Sequence, residues 1–241
     1  MRPDRVPITH PQEGEALVAT QVASEPASVI PTRALAAKVL DSPTGGAGLL
    51  FPNVPLGIAL QLGALGIVLG LLSAANAELF SPAATGVVLP VAFSVGAIGI
   101  FAGGIINFRA GLLIAGVIGA LYGTFWLSFG LLVQFFAAGV GEAAGPAALG
   151  DAIGTYLVIW AIVSGFLAVA TFYVNRIVFA QQLLLTVVFL VLGLANMSAP
   201  GGTGLTQLGG WLGLVDALMA LYISAALVIN DTAGKELLPF R

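Results

Sequence analysis

Cysteine is absent from the 241-residue chain, and histidine occurs only once, at position 10. The lack of cysteine excludes disulfide bonds, thiolate metal sites and cysteine nucleophiles. The single histidine precedes every long apolar run, so no metal site or nucleophile–base pair can be built from imidazoles within those runs. We therefore expect no metal ion, no cofactor and no enzymatic activity.

Charged residues are also scarce. Asp, Glu, Lys and Arg make up 8% of the residues, whereas water-soluble domains carry about a quarter. Hydrophobic residues reach 59%, and the mean hydropathy is +1.05. The stretch from Pro55 to Ile229 holds these charged residues, all but one at or near a break between apolar runs: Glu78, Arg109, Glu142, Asp151, Arg176 and Asp216. This composition predicts an integral membrane protein.

The apolar runs are long enough to cross a bilayer as helices, since a hydrocarbon core of about 30 Å needs about 20 residues. We place six spans at 56–76, 86–107, 112–138, 151–173, 177–197 and 208–229. Strands are excluded because an open sheet leaves backbone groups unpaired in lipid and a barrel needs alternating polarity. We predict an all-α bundle of six transmembrane helices within residues 49–234. Residues 1–48 should form a disordered cytoplasmic tail and residues 235–241 a short cytoplasmic tail.

The basic residues predict the orientation of the bundle. They precede the first span, follow the last span, or lie in the second-to-third and fourth-to-fifth connections, and the other three connections contain none. The positive-inside rule then places both termini in the cytoplasm of a protein of the cell membrane. Because the eight basic residues are scattered, no nucleic-acid surface is expected.

Small and polar residues recur at helical spacing within the spans. Glycines three or four residues apart, such as Gly96, Gly99 and Gly103, predict close contact between helices. Polar side chains such as Asn107, Thr186 and Asn196 should point into the bundle, where they either line a pore or bond neighbouring helices. The sequence leaves both roles open.

Four segments resemble one known family. They are Asn53-Val-Pro-Leu-Gly57, Phe101–Arg109, the stretch Leu121-Tyr-Gly-Thr-Phe-Trp-Leu-Ser128, and Gly209–Gly213 followed by Tyr222. Together they are similar, over roughly residues 50–240, to the acetate uptake transporters, also called the succinate–acetate permease or GPR1/FUN34/YaaH family. The stretch around Tyr122 is the most specific part of the resemblance.

The resemblance implies a six-helix protomer of a homohexamer, with a path for small carboxylates that narrows at a hydrophobic constriction. Mapped onto this sequence, the constriction residues are Tyr122, Leu185 and Gln61, the last standing where the family has an aromatic residue. Asn107 replaces a family glutamate, and Asp216 is an acid that family members generally lack.

We expect a low-affinity channel or facilitator for acetate and other small monocarboxylates, with succinate and proton coupling left open. No Lys or Arg lies within a span, so weaker donors must offset the desolvation of a carboxylate. The residues that we expect to contact substrate are Asn53, Pro55, Leu56, Gly57, Thr124, Phe125, Ser128, Thr186 and Asn196. Phe125 would contribute, with Phe129 and Phe136, to an apolar wall for a methyl group. Asp216 is either a proton site or a structural partner of a neighbouring helix.

Two other functions stay open at this point. A channel for small neutral solutes such as urea or short amides would suit Gln61 and the absence of a basic residue in the spans. A sensor or scaffold that transports nothing is the other. An intramembrane enzyme is disfavoured because Asp216 is the only carboxylate well inside a span.

Overall fold

A computed structural model describes residues 56–198 and 204–240. Within these residues there are six helices long and apolar enough to cross a membrane. We number them α1 (Leu56–Asn76), α2 (Pro82–Arg109), α3 (Leu113–Ala144), α4 (Pro146–Phe172), α5 (Arg176–Ser198) and α6 (Gly204–Ala233).

The predicted fold class is confirmed: the described residues form an all-helical bundle, and no strand occurs among them. The first helix has the predicted bounds, whereas the other spans were placed a few residues too short at one or both ends. The proposed tail 1–48 and the motif residues Asn53 and Pro55 lie outside the described residues.

Local sequence explains where the helices begin and end. Gly111 and Gly145 have φ angles of 76° and 86°, a region that disfavours residues with a Cβ. They terminate α2 and α3, and Pro146, which needs no N–H partner in a first turn, begins α4. Asn175 starts α5, because its Oδ1 accepts the backbone N–H groups of Ile177 and Val178 at 2.8 and 3.1 Å.

The helices pack in chain order. Each helix contacts the next, and α6 closes the set by packing against α1. Short connections make consecutive helices antiparallel, so the second, fourth and sixth helices end on the same side of the bundle. The described basic residues Arg109, Arg176 and Lys235 all lie on that side, whereas Glu78, Glu142 and Asp151 lie on the other.

Glycine permits the closest approaches between helices. A Cβ on Gly103 of α2 would lie 2.6 Å from the carbonyl oxygen of Gly57 in α1, and one on Gly104 would lie 2.6 Å from the backbone nitrogen of Ala120 in α3. Both distances are far inside van der Waals contact, so these positions admit only glycine without movement of backbone. The glycine spacing in the sequence therefore does mark close helix contacts at these crossings.

The bundle interior combines an apolar core with polar side chains. Buried polar residues on five of the helices are Gln61, Ser73, Asn107, Ser164, Thr171, Gln181, Gln182 and Asp216. Large apolar side chains cover the outside, and Ile162, Phe166 and Val169 of α4 are each more than half exposed in the single chain. A protein with an apolar exterior and buried polar groups is arranged for a lipid surrounding.

Candidate functional site: two cavities separated by a septum

Two cavities enter the bundle from opposite ends. The wider, of about 490 Å³, opens where α1 ends and α2 begins, and Asn76, Glu78 and Asn196 contribute to its lining. The narrower, of about 70 Å³, lies at the end that carries the basic residues, and its lining includes Asn175 and Phe240. We call them the wide cavity and the narrow cavity.

The two cavities meet back to back near the middle of the bundle. Leu65 lines both of them. Tyr122 and Leu185 face the wide cavity, and Gln182 faces the narrow cavity. We call these four residues the septum. All of them except Leu65 are at most 2% exposed, so the septum is closed in this conformation.

A hydrogen-bond network crosses the septum from α3 to α4 and α5. Tyr122 Oη donates to Ser164 Oγ at 2.9 Å, and Gln182 Nε2 donates to Ser164 Oγ at 3.0 Å. Gln182 Nε2 also donates to Tyr122 Oη. Thr186 Oγ1 lies 3.0 Å from Ser164 Oγ and 2.9 Å from the carbonyl oxygen of Gln182. The septum is therefore not purely apolar, because its tyrosine sits on a buried polar cluster.

Aromatic rings surround the septum on the wide side. The ring of Phe125 lies 4.9 Å from that of Phe189 and 5.1 Å from that of Trp160, both edge-on. Tyr122 is 6.3 Å from each of the same two rings. These centroid separations are typical of favourable aromatic pairs. Phe125 and Phe129 line the wide cavity, as an apolar wall requires, whereas Phe136 is 60% exposed and lies outside it.

A pair of amides lies beside the narrow cavity. Asn107 Nδ2 donates to Gln61 Oε1 at 3.0 Å, and both side chains are buried. Gln61 lines the narrow cavity. Asn107 Oδ1 is buried without a partner, and it lies against Gly57 in the first turn of α1. The position that the resemblance assigns to a constriction residue is thus occupied by a bonded amide on the narrow side of the septum.

Asp216 of α6 is completely buried and pairs with an amide. Gln181 Nε2 donates to its two carboxyl oxygens at 3.1 and 3.3 Å. Gln181 lines the narrow cavity, whereas Asp216 lines neither cavity. Gln181 therefore links the buried carboxyl group to the lining of the narrow cavity.

The other predicted substrate contacts are divided between the interior and the surface. Asn196 lines the wide cavity and donates to the carbonyl of Leu192, and Thr186 belongs to the network at the septum. Thr124 and Ser128 are exposed and line neither cavity. The Thr124 hydroxyl bonds carbonyls of its own helix, and that of Ser128 lies 2.8 Å from the Tyr156 hydroxyl.

The first turn of α1 lies beside the amide pair. Leu56 is 41% exposed, and Gly57 is buried against Asn107. Neither residue lines the wide or the narrow cavity. Asn53 and Pro55, which we expected to act with them, lie outside the described residues.

No role is predicted from the sequence for Ser164, Gln181 or Gln182. Gln182 was visible as part of a polar stripe with Thr186 on α5, at a spacing of four residues. Ser164 is the sole serine of α4, and the one polar residue that follows it on the same face is Thr171, seven residues later. The presence of a serine in an apolar span was itself an indication of a buried contact, because a polar group there needs a partner on a neighbouring helix.

The family of the chain follows from a match to the family model for the GPR1/FUN34/yaaH family, which covers residues 53–235. The chain belongs to this family. The family predicted from the four segments is thereby confirmed.

Individual GPR1/FUN34/yaaH relatives carry different functional names. The chain is 31% identical over 150 residues to the succinate-acetate/proton symporter SatP of Escherichia coli strain K12, covering 59% of this chain and 77% of the relative. It is 33% identical over 153 residues to ammonia transport outward protein 2 of Saccharomyces cerevisiae, covering 60% of this chain and 53% of the relative.

One solved structure also matches the fold of this chain. The structure of the bacterial acetate channel SatP superimposes with a TM-score of 0.67 at 24% identity, covering 80% of this chain and all of that one. This likeness shows that the six-helix arrangement is shared.

Proposed function

We propose that the protein is a channel or facilitator that moves acetate and other small monocarboxylates across the cell membrane. The observation that carries the proposal is the pair of cavities that enter from opposite ends and meet at Leu65, with Tyr122 and Leu185 closing the gap. The names of the E. coli relative and of the solved channel support a small carboxylate as the solute.

The chemistry along this route suits passage rather than tight binding. A carboxylate that leaves water needs hydrogen-bond donors to offset its desolvation. The route offers Tyr122, Gln182 and Asn196, and its helices place no Lys or Arg at the septum. Several weak donors allow an ion to leave as readily as it enters. Phe125 and Phe189, beside Tyr122, provide apolar surface for the methyl group of acetate.

The experiment is uptake of labelled acetate into proteoliposomes, with the septum blocked by Leu185→Trp. An indole in place of the buried leucine should fill the contact between the cavities and reduce uptake to the level of empty liposomes. Leu183→Trp is the matched control, because Leu183 lies on the same helix and is 45% exposed on its outer face. Full uptake by the Leu185→Trp protein would refute a route through the septum.

A small neutral solute is the second candidate, and two observations favour it. Gln61, Gln181 and Gln182 all reach the narrow cavity, and primary amides can both donate to and accept from urea. Glu78 lies at the wide cavity, where a carboxylate would repel an arriving anion. Uptake of labelled urea beside labelled acetate in the same vesicles distinguishes the two solutes.

Proton coupling at Asp216 is part of the proposal. The E. coli relative is named a proton symporter, and a buried ionisable residue in a membrane helix is by default a functional candidate. The helices packed against α6, which are α1 and α5, carry few charged groups that could influence the protonation of Asp216. On α1 there is no titratable residue, and on α5 the only one is Arg176, at the first position of the helix.

We further propose a homohexamer in the cell membrane with both termini in the cytoplasm. The exposed apolar side chains of α4 support contacts with lipid or with neighbouring subunits. The basic residues at the narrow-cavity end support a cytoplasmic position for that end. Native mass spectrometry and protease protection of each tail in sealed vesicles would test the assembly and the orientation.

A further inference from the structure

Every hydroxyl proton in the septum network can be assigned to an acceptor. A tyrosine or serine hydroxyl has one proton to donate and can accept two. Gln182 Nε2 uses its two protons on Tyr122 Oη and Ser164 Oγ, and Tyr122 uses its one on Ser164 Oγ. Thr186 Oγ1 has Ser164 Oγ and the Gln182 carbonyl within reach of its one proton. Because Ser164 Oγ already accepts from Tyr122 and Gln182, we assign the Thr186 proton to the carbonyl and the Ser164 proton to Thr186 Oγ1.

Ser164 is the member on which the others converge. Its Oγ lies within 3.0 Å of Tyr122, Gln182 and Thr186, and the side chain is completely buried. It is also the network's only member on α4, so it ties that helix to α3 and α5. In the closed septum the sole proton of the Tyr122 hydroxyl is thus committed to Ser164.

We propose that Ser164 is the positioning residue that holds the septum closed. It does so by occupying the Tyr122 hydroxyl, and a carboxylate passes by replacing Ser164 as the acceptor of that proton. The inference rests on the proposed route past Tyr122 and adds to it a residue that controls how readily the route opens.

Replacing Ser164 by a carboxylate as the acceptor of the Tyr122 proton should cost little free energy. A carboxylate accepts a hydrogen bond more strongly than a neutral hydroxyl does, so an arriving anion can compete for the Tyr122 proton. One bond is broken and one is made, and no buried donor is left unpaired on the way. A neutral solute has no such advantage over Ser164, so the hydrogen bond between Tyr122 and Ser164 would favour the passage of anions.

A double-mutant cycle tests this. Ser164→Ala leaves the Tyr122 proton without an acceptor in the closed septum, which should lower the KM for acetate uptake by roughly two- to tenfold, the size of one net hydrogen bond. In the Tyr122→Phe protein there is no proton to release, so the added Ser164→Ala should leave the KM unchanged. Ser224→Ala is the control, because that hydroxyl joins α6 to α1 through the Ala59 carbonyl at 2.7 Å, outside the network.

The outcomes separate this inference from the proposed function. If Tyr122→Phe alone leaves uptake unchanged, the route past Tyr122 fails. If Tyr122→Phe alters uptake but Ser164→Ala has no effect, Ser164 is only a packing residue and the proposed role of Ser164 is refuted. The same conclusion follows if Ser164→Ala has an equal effect with and without the tyrosine hydroxyl. Ser164→Cys, which keeps the shape and weakens the acceptor, should shift the KM in the same direction and serves if the alanine protein does not fold.

Discussion

Gln181 Nε2 donates to both carboxyl oxygens of the buried Asp216, and the same glutamine side chain lines the narrow cavity. A carboxylate offers about four lone-pair sites for hydrogen bonds, and a single amide group satisfies only some of them. An amide can also accept from a protonated carboxyl group through its oxygen. The pair can therefore accommodate Asp216 with or without a proton, which a proton site requires.

Replacing Asp216 by Asn removes the titrating group and keeps its shape and its acceptor for Gln181. We expect Asp216→Asn to lose the stimulation of acetate uptake by a pH gradient while retaining downhill uptake without one. Asp231→Asn, the same change at another position on α6, should preserve the pH response. Measurement of initial uptake at several external pH values decides the matter, and an unchanged pH dependence in Asp216→Asn would exclude the proton-site role.

The buried bond between Asn107 and Gln61 should be visible in stability. Gln61→Met takes away the acceptor of Asn107 Nδ2 and leaves a buried donor unpaired, which costs about 1–3 kcal/mol. Adding Asn107→Leu removes the stranded donor as well and should restore most of the loss. Reversible unfolding in detergent gives both values. Additive destabilisation in the double variant would show that the amides do not depend on each other.

Glycine at the crossing of α2 and α3 should be essential to packing. A methyl group at Gly104 would collide with the Ala120 backbone nitrogen, so Gly104→Ala should cost about 1–3 kcal/mol as overpacking. At Gly165 of α4 the nearest atom, Thr186 Cγ2, would be 3.7 Å away. Gly165→Ala therefore should be harmless and controls for the loss of glycine itself. Equal thermal stability of the two variants would contradict the assignment of close contact.

The apolar runs were enough to predict the fold, because the length of a span and the exclusion of charge are properties of one helix at a time. Tyr122 and Leu185, which the resemblance names as constriction residues, both line the wide cavity, and their role as a constriction stays a prediction. The network around Ser164 could not be predicted, since it depends on which faces of α3, α4 and α5 meet. Thr124 is exposed and its hydroxyl bonds backbone carbonyls of its own helix, as a single hydroxyl in an apolar helix can do without a partner elsewhere, so its contact with substrate stays a prediction.

The C-terminal segment folds back against the narrow-cavity end of the bundle. Asn230 holds it there: its Nδ2 donates to the Leu238 carbonyl at 2.7 Å, and its Oδ1 accepts from the backbone N–H groups of Leu237 and Leu238 at 2.7 and 2.9 Å. Tyr222 Oη donates to the Pro239 carbonyl at 2.7 Å. These bonds place Phe240 in the lining of the narrow cavity.

Asn230→Ala removes three of the bonds that hold the segment and should release it. The segment includes Lys235, which is exposed, and a protease needs locally unfolded backbone to cleave beside it. We therefore expect trypsin to cut after Lys235 faster in Asn230→Ala than in the unaltered protein, as followed by mass spectrometry of the intact chain. Asn196→Ala loses only a bond within its own helix and should leave the rate of cleavage unchanged.

Release of the segment also withdraws Phe240 from the narrow cavity. The Asn230→Ala variant should therefore admit water more readily to this cavity, so that hydrogen exchange near Gln181 rises together with cleavage. Faster cleavage without faster exchange would mean that Phe240 does not limit access to this cavity.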